Sequence, residues 1–203
     1  VGYESLSVNT SGGNNTALGR GALERNTTAN NNTAVGYYAL IYNTTGDRNV
    51  AIGASSLDAN TTGAKNIAVG VDALGANTTA DHNVAVGHGS LALNTTGADN
   101  TGLGKGALAA NTTAAYNTAV GALTLEANTT GSSNTAVGRD ALQTNVTTSN
   151  NTAVGRSALN ANVAANNTAL GAFALTANST GTYLTALGNE SLKANTTGNS
   201  NVG

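Results

Sequence analysis

The apolar positions of the chain recur with a period of 17 residues. A glycine preceded by Val, Ile or Leu returns at this interval, with a single shorter step of 16 residues between Gly155 and Gly171. A leucine follows every such glycine by four residues, and an asparagine follows it by seven. The unit reads N-T-A-V-G-x-x-A-L-x-x-N-T-T-G-x-x, which indicates a stack of small, nearly identical structural units. The glycines of this column are Gly2, Gly19, Gly36, Gly53, Gly70, Gly87, Gly104, Gly121, Gly138, Gly155, Gly171 and Gly188.

The whole chain is predicted to be one repeat array. Twelve units fill residues 1–203, with the one-residue deletion between Gly155 and Gly171. Neither end carries the atypical capping unit that shields the open end of a finished solenoid. We therefore expect the array to be an excerpt of a longer chain.

The segment N-T-A-V-G alternates in the way that a β-strand does. Val50, Ile67 and Val84 occupy the Thr position, and they share a face with the aliphatic residue two positions later. The alanine between them points the other way. We predict a short strand here, followed by a second short strand or extended segment in A-L-x-x-N. The remaining N-T-T-G-x-x is predicted as a return corner, because Asn and Gly readily adopt left-handed backbone conformations.

One unit fits one coil of an all-β parallel β-solenoid. A two-helix repeat needs about 33 residues or more, and Gly, Asn and Thr are poor helix formers. Twelve coils would stack at about 4.8 Å. We predict that the leucine column and the Val/Ile/Leu column before the glycine form a thin apolar core. The two Asn columns are predicted to hydrogen-bond from coil to coil.

A single coil cannot bury both faces of its strand. Either the Val/Thr side or the Ala side is left as a continuous stripe, and apolar stripes of that size usually mark an interface. Burial against identical chains is the favoured interpretation, and three chains under cyclic symmetry would hide three stripes at once. The alternative is that a face of small alanines is tolerated in water.

The unit resembles the head repeats of trimeric autotransporter adhesins, and it resembles still more closely the N-T-A-V-G-Y-x-A-L-x-x-N-T-T-G arrays of bacterial surface proteins and phage tail-fibre-like proteins. Residues 32–48 and 49–65 carry the pattern best. The resemblance implies a left-handed parallel β-roll that assembles as a homotrimer. It also implies a structural rod, at a cell surface or in a virion fibre, that mediates adhesion or host attachment to a protein or glycan receptor. The N-T-T-G insert makes this coil longer than that of the adhesin heads.

Composition narrows the function further. Charged residues make up 9% of the chain and the formal net charge is −2, so no basic surface exists to neutralise phosphates, and we expect no nucleic-acid partner. The absence of cysteine excludes a disulfide framework. No apolar run approaches the roughly 18 residues of a membrane span, so membrane insertion of this segment is not expected.

The sequence indicates no enzyme. His82 and His88 lie in variable columns with Asp81 as the only adjacent carboxylate, which is too few ligands for a metal site. No Ser-His-Asp arrangement and no glycine-rich phosphate motif stands out, and near-perfect repetition disfavours a unique active site. We therefore predict no catalytic, cofactor-binding or metal-ligating residues and no cofactor.

Three further features leave functional alternatives open. Sequons such as Asn26-Thr27-Thr28 recur, and we interpret them as structural ladders rather than glycosylation sites. Stacked threonines suggest ice binding as an alternative function, but Thr44 and Thr45 are adjacent, so their side chains would point to opposite sides of an extended segment. A filament or sheath subunit without a ligand is the other alternative. The tyrosines of one coil could form a carbohydrate- or protein-contact patch if they cluster. They are Tyr37, Tyr38 and Tyr42.

Overall fold

The computed structural model describes residues 1–203 as one parallel sheet of eleven strands that lie side by side in chain order. Each strand has three residues, each coil contributes one strand, and no helix is present. Equivalent residues of neighbouring coils pair, as in Thr16 with Thr33, and Thr185 also bridges to Val202. The prediction of an all-β parallel β-solenoid with a 17-residue repeat is confirmed. The strands are β1 (Thr16–Leu18), β2 (Thr33–Val35), β3 (Val50–Ile52), β4 (Ile67–Val69), β5 (Val84–Val86), β6 (Thr101–Leu103), β7 (Thr118–Val120), β8 (Thr135–Val137), β9 (Thr152–Val154), β10 (Thr168–Leu170) and β11 (Thr185–Leu187).

The core contains one leucine and two small residues from each coil. The predicted leucine column lies in the core, and its members from Leu23 to Leu175 are fully buried. The central residue of each strand, an alanine except at Gly102, and the small residue before each of these leucines, mostly alanine but Ser56, Ser90 and Thr124 in three coils, fill the rest of the interior. Full burial of a leucine side chain contributes about 1.5–3 kcal/mol, so this column supplies much of the apolar stabilisation.

The Val/Ile/Leu column before the glycine does not join the core, so that part of the prediction is wrong. Leu18 is 51% exposed and Leu187 is 58% exposed, whereas Ala34 between two outward residues is fully buried. The interior of a coil is narrow, because the Ser90 hydroxyl on one wall donates a hydrogen bond of 2.9 Å to the Gly102 carbonyl oxygen on the other. With a leucine already inside, the strand has room for a methyl group only.

The segment A-L-x-x-N forms tight turns rather than the predicted second strand. Tyr38 and Leu40 have φ angles of 57° and 54°, and their equivalents in the other coils repeat this left-handed backbone. Two such residues, the one just before the segment and the leucine within it, bend the chain too sharply for a strand. Hydrogen bonding between coils continues through the turns, as from Leu23 N to Ala39 O at 3.1 Å. Of 133 backbone hydrogen bonds, 113 are not between two strand residues, and many of these join turn or corner residues of neighbouring coils.

Both Asn columns form the predicted ladders. In the column seven residues after the glycine, which we call the inner ladder, Asn43 Nδ2 donates to Asn26 Oδ1 at 3.1 Å and to Gly46 O at 3.0 Å. In the column that opens the unit, the backbone N–H of Asn49 donates to Asn32 Oδ1 at 2.8 Å. Buried amides satisfied in this way tie each coil to the next and fix the register.

The glycine column is required by the close approach of successive coils. Gly36 has a φ of 142°, and a Cβ at this position would lie 2.4 Å from the carbonyl oxygen of Gly53. A side chain would therefore collide with the backbone of the next coil, in a conformation that L-residues rarely adopt. This contact explains why no other residue occupies the column.

The one-residue deletion is absorbed in a corner. Asn162 Nδ2 donates to the carbonyl oxygen of Ala164, two residues ahead, whereas the other inner-ladder asparagines bond three residues ahead. The strands on either side keep their register, with Thr152 opposite Thr168. Corner length can therefore vary while the sheet does not change.

Candidate functional site

The first and third residues of every strand point away from the core and form a continuous surface, which we call the outer face. All of these residues are Thr, Val, Ile or Leu, and all are partly or fully exposed. Eleven strands spaced by about 4.8 Å make this surface about 50 Å long. The outer face is therefore a long, flat and largely apolar stripe.

Charge is confined to the turns and corners. All eight Lys and Arg and all ten Asp and Glu lie outside the strands. The ion pairs are few and partly exposed: His82 with Asp99, Arg139 with Asp140, and Lys193 with Glu190. The outer face is thus free of charge on a molecule whose other surfaces carry both signs.

Tyrosines of the first three coils gather around one arginine, and we call this group the tyrosine cluster. Tyr3, Arg20 and Tyr37 each follow a repeat glycine directly, so successive coils stack them along the rod. The Arg20 guanidinium carbon lies 5.7 Å from the ring centroid of Tyr3, 5.9 Å from that of Tyr37 and 5.8 Å from that of Tyr38. The ring centroids of Tyr37 and Tyr38 are 4.0 Å apart.

The structure brings together only two of the three tyrosines that the sequence singled out. Tyr42 lies instead beside Arg25, whose guanidinium carbon is 5.0 Å from the Tyr42 ring centroid. Sequence reasoning missed Tyr3 and Arg20, although both occupy the column of Tyr37 and could have been found by counting in steps of 17. Hydrogen bonding to Tyr37 raises the pKa of the Tyr38 phenol above its ordinary value.

The histidines and carboxylates of the coil stack lie scattered over its turns and corners. No pocket opens on its surface, and no three His, Cys, Asp or Glu side chains are arranged to hold a metal ion. His82 faces Asp99 of the following coil, at 3.9 Å, and does not converge with Asp81 on a common point. The structure contains no helix with the length and the apolar character needed to cross a membrane.

Comparison of the chain with protein-family models, with curated proteins and with solved structures found no match. The outer face and the tyrosine cluster are the two candidate functional surfaces of the chain.

The sequon asparagines are structural. Asn26, Asn43 and Asn60 belong to the inner ladder, are fully buried, and use Nδ2 as a hydrogen-bond donor. A glycan on Nδ2 would remove these bonds and could not fit between the coils. The folded array is therefore incompatible with glycosylation at these sites.

The threonines of the N-T-T corner have two separate roles. Thr44 donates its hydroxyl to the carbonyl oxygen of Thr61 in the next coil at 3.0 Å, so this rank continues the ladder. Thr45, its neighbour, is exposed. The corner threonines therefore form no regular double row. Two regular rows of outward side chains lie on the strands, with Thr, Val or Ile at the first position and an aliphatic residue at the third.

Proposed function

We propose that this chain is the rigid shaft of a homotrimeric surface fibre, of the adhesin or phage tail-fibre class, and acts outside the cell in attachment. Its role is mechanical: repetition sets length, and stacked ladders give stiffness. The twelve coils and the left-handed roll that the resemblance implies belong to this proposal. The chain acts without catalysis, cofactor, nucleic acid or membrane insertion.

The observation that carries this proposal is the outer face. The stripe is about 50 Å long, runs along all eleven strands and carries no charge, and a continuous, largely apolar surface of this kind commonly marks a site of protein–protein contact. Its occupant must match an unbroken, flat, uncharged surface of the same length, and a second and third copy of this chain supply such a surface. A threefold axis parallel to the rod would bury all three stripes together.

Solution mass tests the assembly directly. Light scattering is expected to give three times the chain mass of 19.8 kDa. Val86→Arg places a charge in the middle of the outer face and should give a folded monomer, because an unpaired charge is costly to bury. Thr79→Arg, on an exposed corner, is the matched control and should leave the mass unchanged. A wild-type monomer with intact β circular dichroism would overturn the trimer.

The outer face also favours a second candidate function. Its two ranks combine threonine with aliphatic side chains at a spacing set by the sheet, which is the kind of flat array that can match an ice lattice. In strands β3, β4 and β5 the first position holds Val50, Ile67 and Val84 in place of Thr, and this weakens the match. A monomeric mass together with inhibition of ice recrystallisation would support ice binding, and large polydisperse particles would support a laterally associating filament.

A further inference from the structure

We propose that the tyrosine cluster is a binding site for a neutral glycan. Such a site would define the class of receptor that the fibre binds. Its biological role rests on the proposed function in attachment, whereas glycan binding itself does not. Four of the seven aromatic residues of the chain lie in the first three coils. They include the single pair of aromatic rings in contact, Tyr37 and Tyr38, whose planes are tilted by 40°.

The cluster is held in a fixed arrangement before any ligand arrives. Arg20 lies against the Tyr3, Tyr37 and Tyr38 rings, and such cation–π contacts restrict an otherwise flexible side chain. Tyr38 packs over Gly21, where an added Cβ would lie 2.4 Å from a Tyr38 ring carbon. Gly21 in the second coil therefore leaves space for the ring of Tyr38 in the third coil.

The rings remain accessible although they are held in place. Tyr3 is 69% exposed and Tyr37 is 48% exposed. An exposed tyrosine presents a large apolar ring and a hydroxyl group at low cost in conformational entropy, and Tyr and Arg dominate binding hot spots. The C–H face of a pyranose ring stacks on such a surface, and a shallow patch without a pocket fits an extended sugar chain.

The charges around the rings favour a neutral sugar. Arg20 takes part in none of the ion pairs of the chain, so its N–H groups are free to donate to ligand hydroxyls. Glu4 lies in the first coil and Glu24 in the second, the coil of Arg20, and both offer acceptor oxygens. With one arginine at the rings and two carboxylates in these coils, a polyanion gains no net attraction, whereas sugar hydroxyls use both donors and acceptors.

The test is saturation-transfer NMR on the intact chain with neutral gluco-, galacto- and manno-oligosaccharides, and with sulfated dextran as the anionic probe. We expect transfer from the protein to the sugar C–H protons for at least one neutral series, with a Kd of about 1 mM per site. Three copies on a trimer would strengthen attachment through multivalency.

The variants separate loss of the site from loss of the fold. Tyr37→Ala should abolish the transfer, and it should fold because Ala54 and Ala122 occupy the same column. Gly21→Ser keeps every tyrosine but displaces the Tyr38 ring, and it should weaken binding at least several-fold. Tyr116→Ala removes an isolated exposed tyrosine and should leave binding unchanged.

Three results would overturn the site: no transfer to any neutral sugar, transfer that persists in Tyr37→Ala, or sulfated dextran bound more tightly than every neutral sugar. None of them depends on oligomeric state, because the transfer reports on the cluster of each chain. Light scattering on the same samples reports the mass separately. A failed trimer and a failed glycan site are therefore distinguishable.

Discussion

At the scale of single residues, the two walls of each coil are matched to one another. Gly102 is the one glycine among the central strand residues, and a Cβ there would lie 2.6 Å from the Ser90 hydroxyl oxygen. In the preceding coil the same two columns hold Ala73 and Ala85, and both are fully buried. Ser56 lies opposite Ala68 in the same two columns, with its hydroxyl turned to the Gly53 carbonyl oxygen, so the glycine at position 102 is matched to the direction of the Ser90 hydroxyl, which points across the coil.

This pairing predicts a strong coupling between two substitutions. Gly102→Ala alone should reduce the free energy of unfolding by about 0.5–1.5 kcal/mol, because the Ser90 hydroxyl must turn away and lose its hydrogen bond to the Gly102 carbonyl oxygen. In a Ser90→Ala background the same change should be neutral or stabilising, since it recreates the Ala73 and Ala85 arrangement. Chemical denaturation of the four proteins of this double-mutant cycle measures the coupling. An equal cost in both backgrounds would show that the walls do not touch.

Residue-scale packing also explains what could be predicted from the sequence. The residues that recur at the same position of every unit predicted the coil, its strand, the buried leucines and both Asn ladders. Each of these features depends on contacts between identical residues of neighbouring coils. The direction of the strand faces was predicted wrongly, with the Val/Ile/Leu column inside, since alternation alone does not say which side faces the narrow interior. The left-handed φ of Leu40 was unexpected as well, because leucine disfavours this conformation and only tertiary burial compensates for it.

At the scale of the elements, the turns carry most of the chemical variety. They hold the charges, the tyrosine cluster and short polar ladders such as Glu126 with Gln143, whose side chains hydrogen-bond at 2.8 Å. Sequence reasoning grouped Tyr37 with Tyr42 because they are close in the chain. The relevant neighbours lie one coil away, so Arg20 and Tyr3 emerge only when residues are compared column by column.

A partly buried carboxylate in a turn predicts a pH effect on stability. Desolvation raises the pKa of Asp58, and the charge of Asp72 raises it further. Because the folded pKa is raised, the contribution of Asp58 to stability is fully present below the unfolded value of about 3.9 and decreases as pH rises through the folded pKa. At pH 7, Asp58→Asn should therefore be more stable than wild type, by less than about 0.5 kcal/mol for a half-exposed group.

Melting temperatures between pH 3 and pH 7 provide the measurement. The difference between Asp58→Asn and wild type should vanish below about pH 4. Asn160 occupies the same column, so the variant side chain fits this turn. Asp72→Asn removes the neighbouring charge, one of the two causes of the raised Asp58 pKa, and should change the melting temperature in the same direction by a smaller amount. A difference that is constant over the whole pH range would exclude ionisation as its origin.

At the scale of the whole molecule, the solenoid is one-dimensional. Each strand pairs only with the strands before and after it, so stability is approximately a sum of coil terms and nearest-neighbour terms. The deletion corner between Asn162 and Asn167 shows that a coil can change length while its columns stay aligned. Alignment of the columns, rather than the number of coils, is what the fold requires.

Removal of whole units should therefore be tolerated, while removal of part of a unit should not. Deletion of residues 118–151, which takes out the two coils of β7 and β8, joins Asn117 to Thr152 in the correct column. We expect a folded rod about 10 Å shorter by small-angle scattering, with β circular dichroism per residue unchanged. Its melting temperature should fall only modestly, since two of many similar interfaces are removed.

Deletion of residues 118–125 is the matched control, because it is smaller but out of phase. It places Thr129 in the glycine column, where any Cβ meets the backbone oxygen of the next coil, and it moves Glu126 into an outward position of the strand. One misaligned coil interrupts the glycine column, the Asn ladders and the leucine column together, so the array should lose cooperative unfolding. If both deletions unfolded the chain to the same extent, the coils would not be interchangeable, and stability would depend on contacts beyond nearest neighbours.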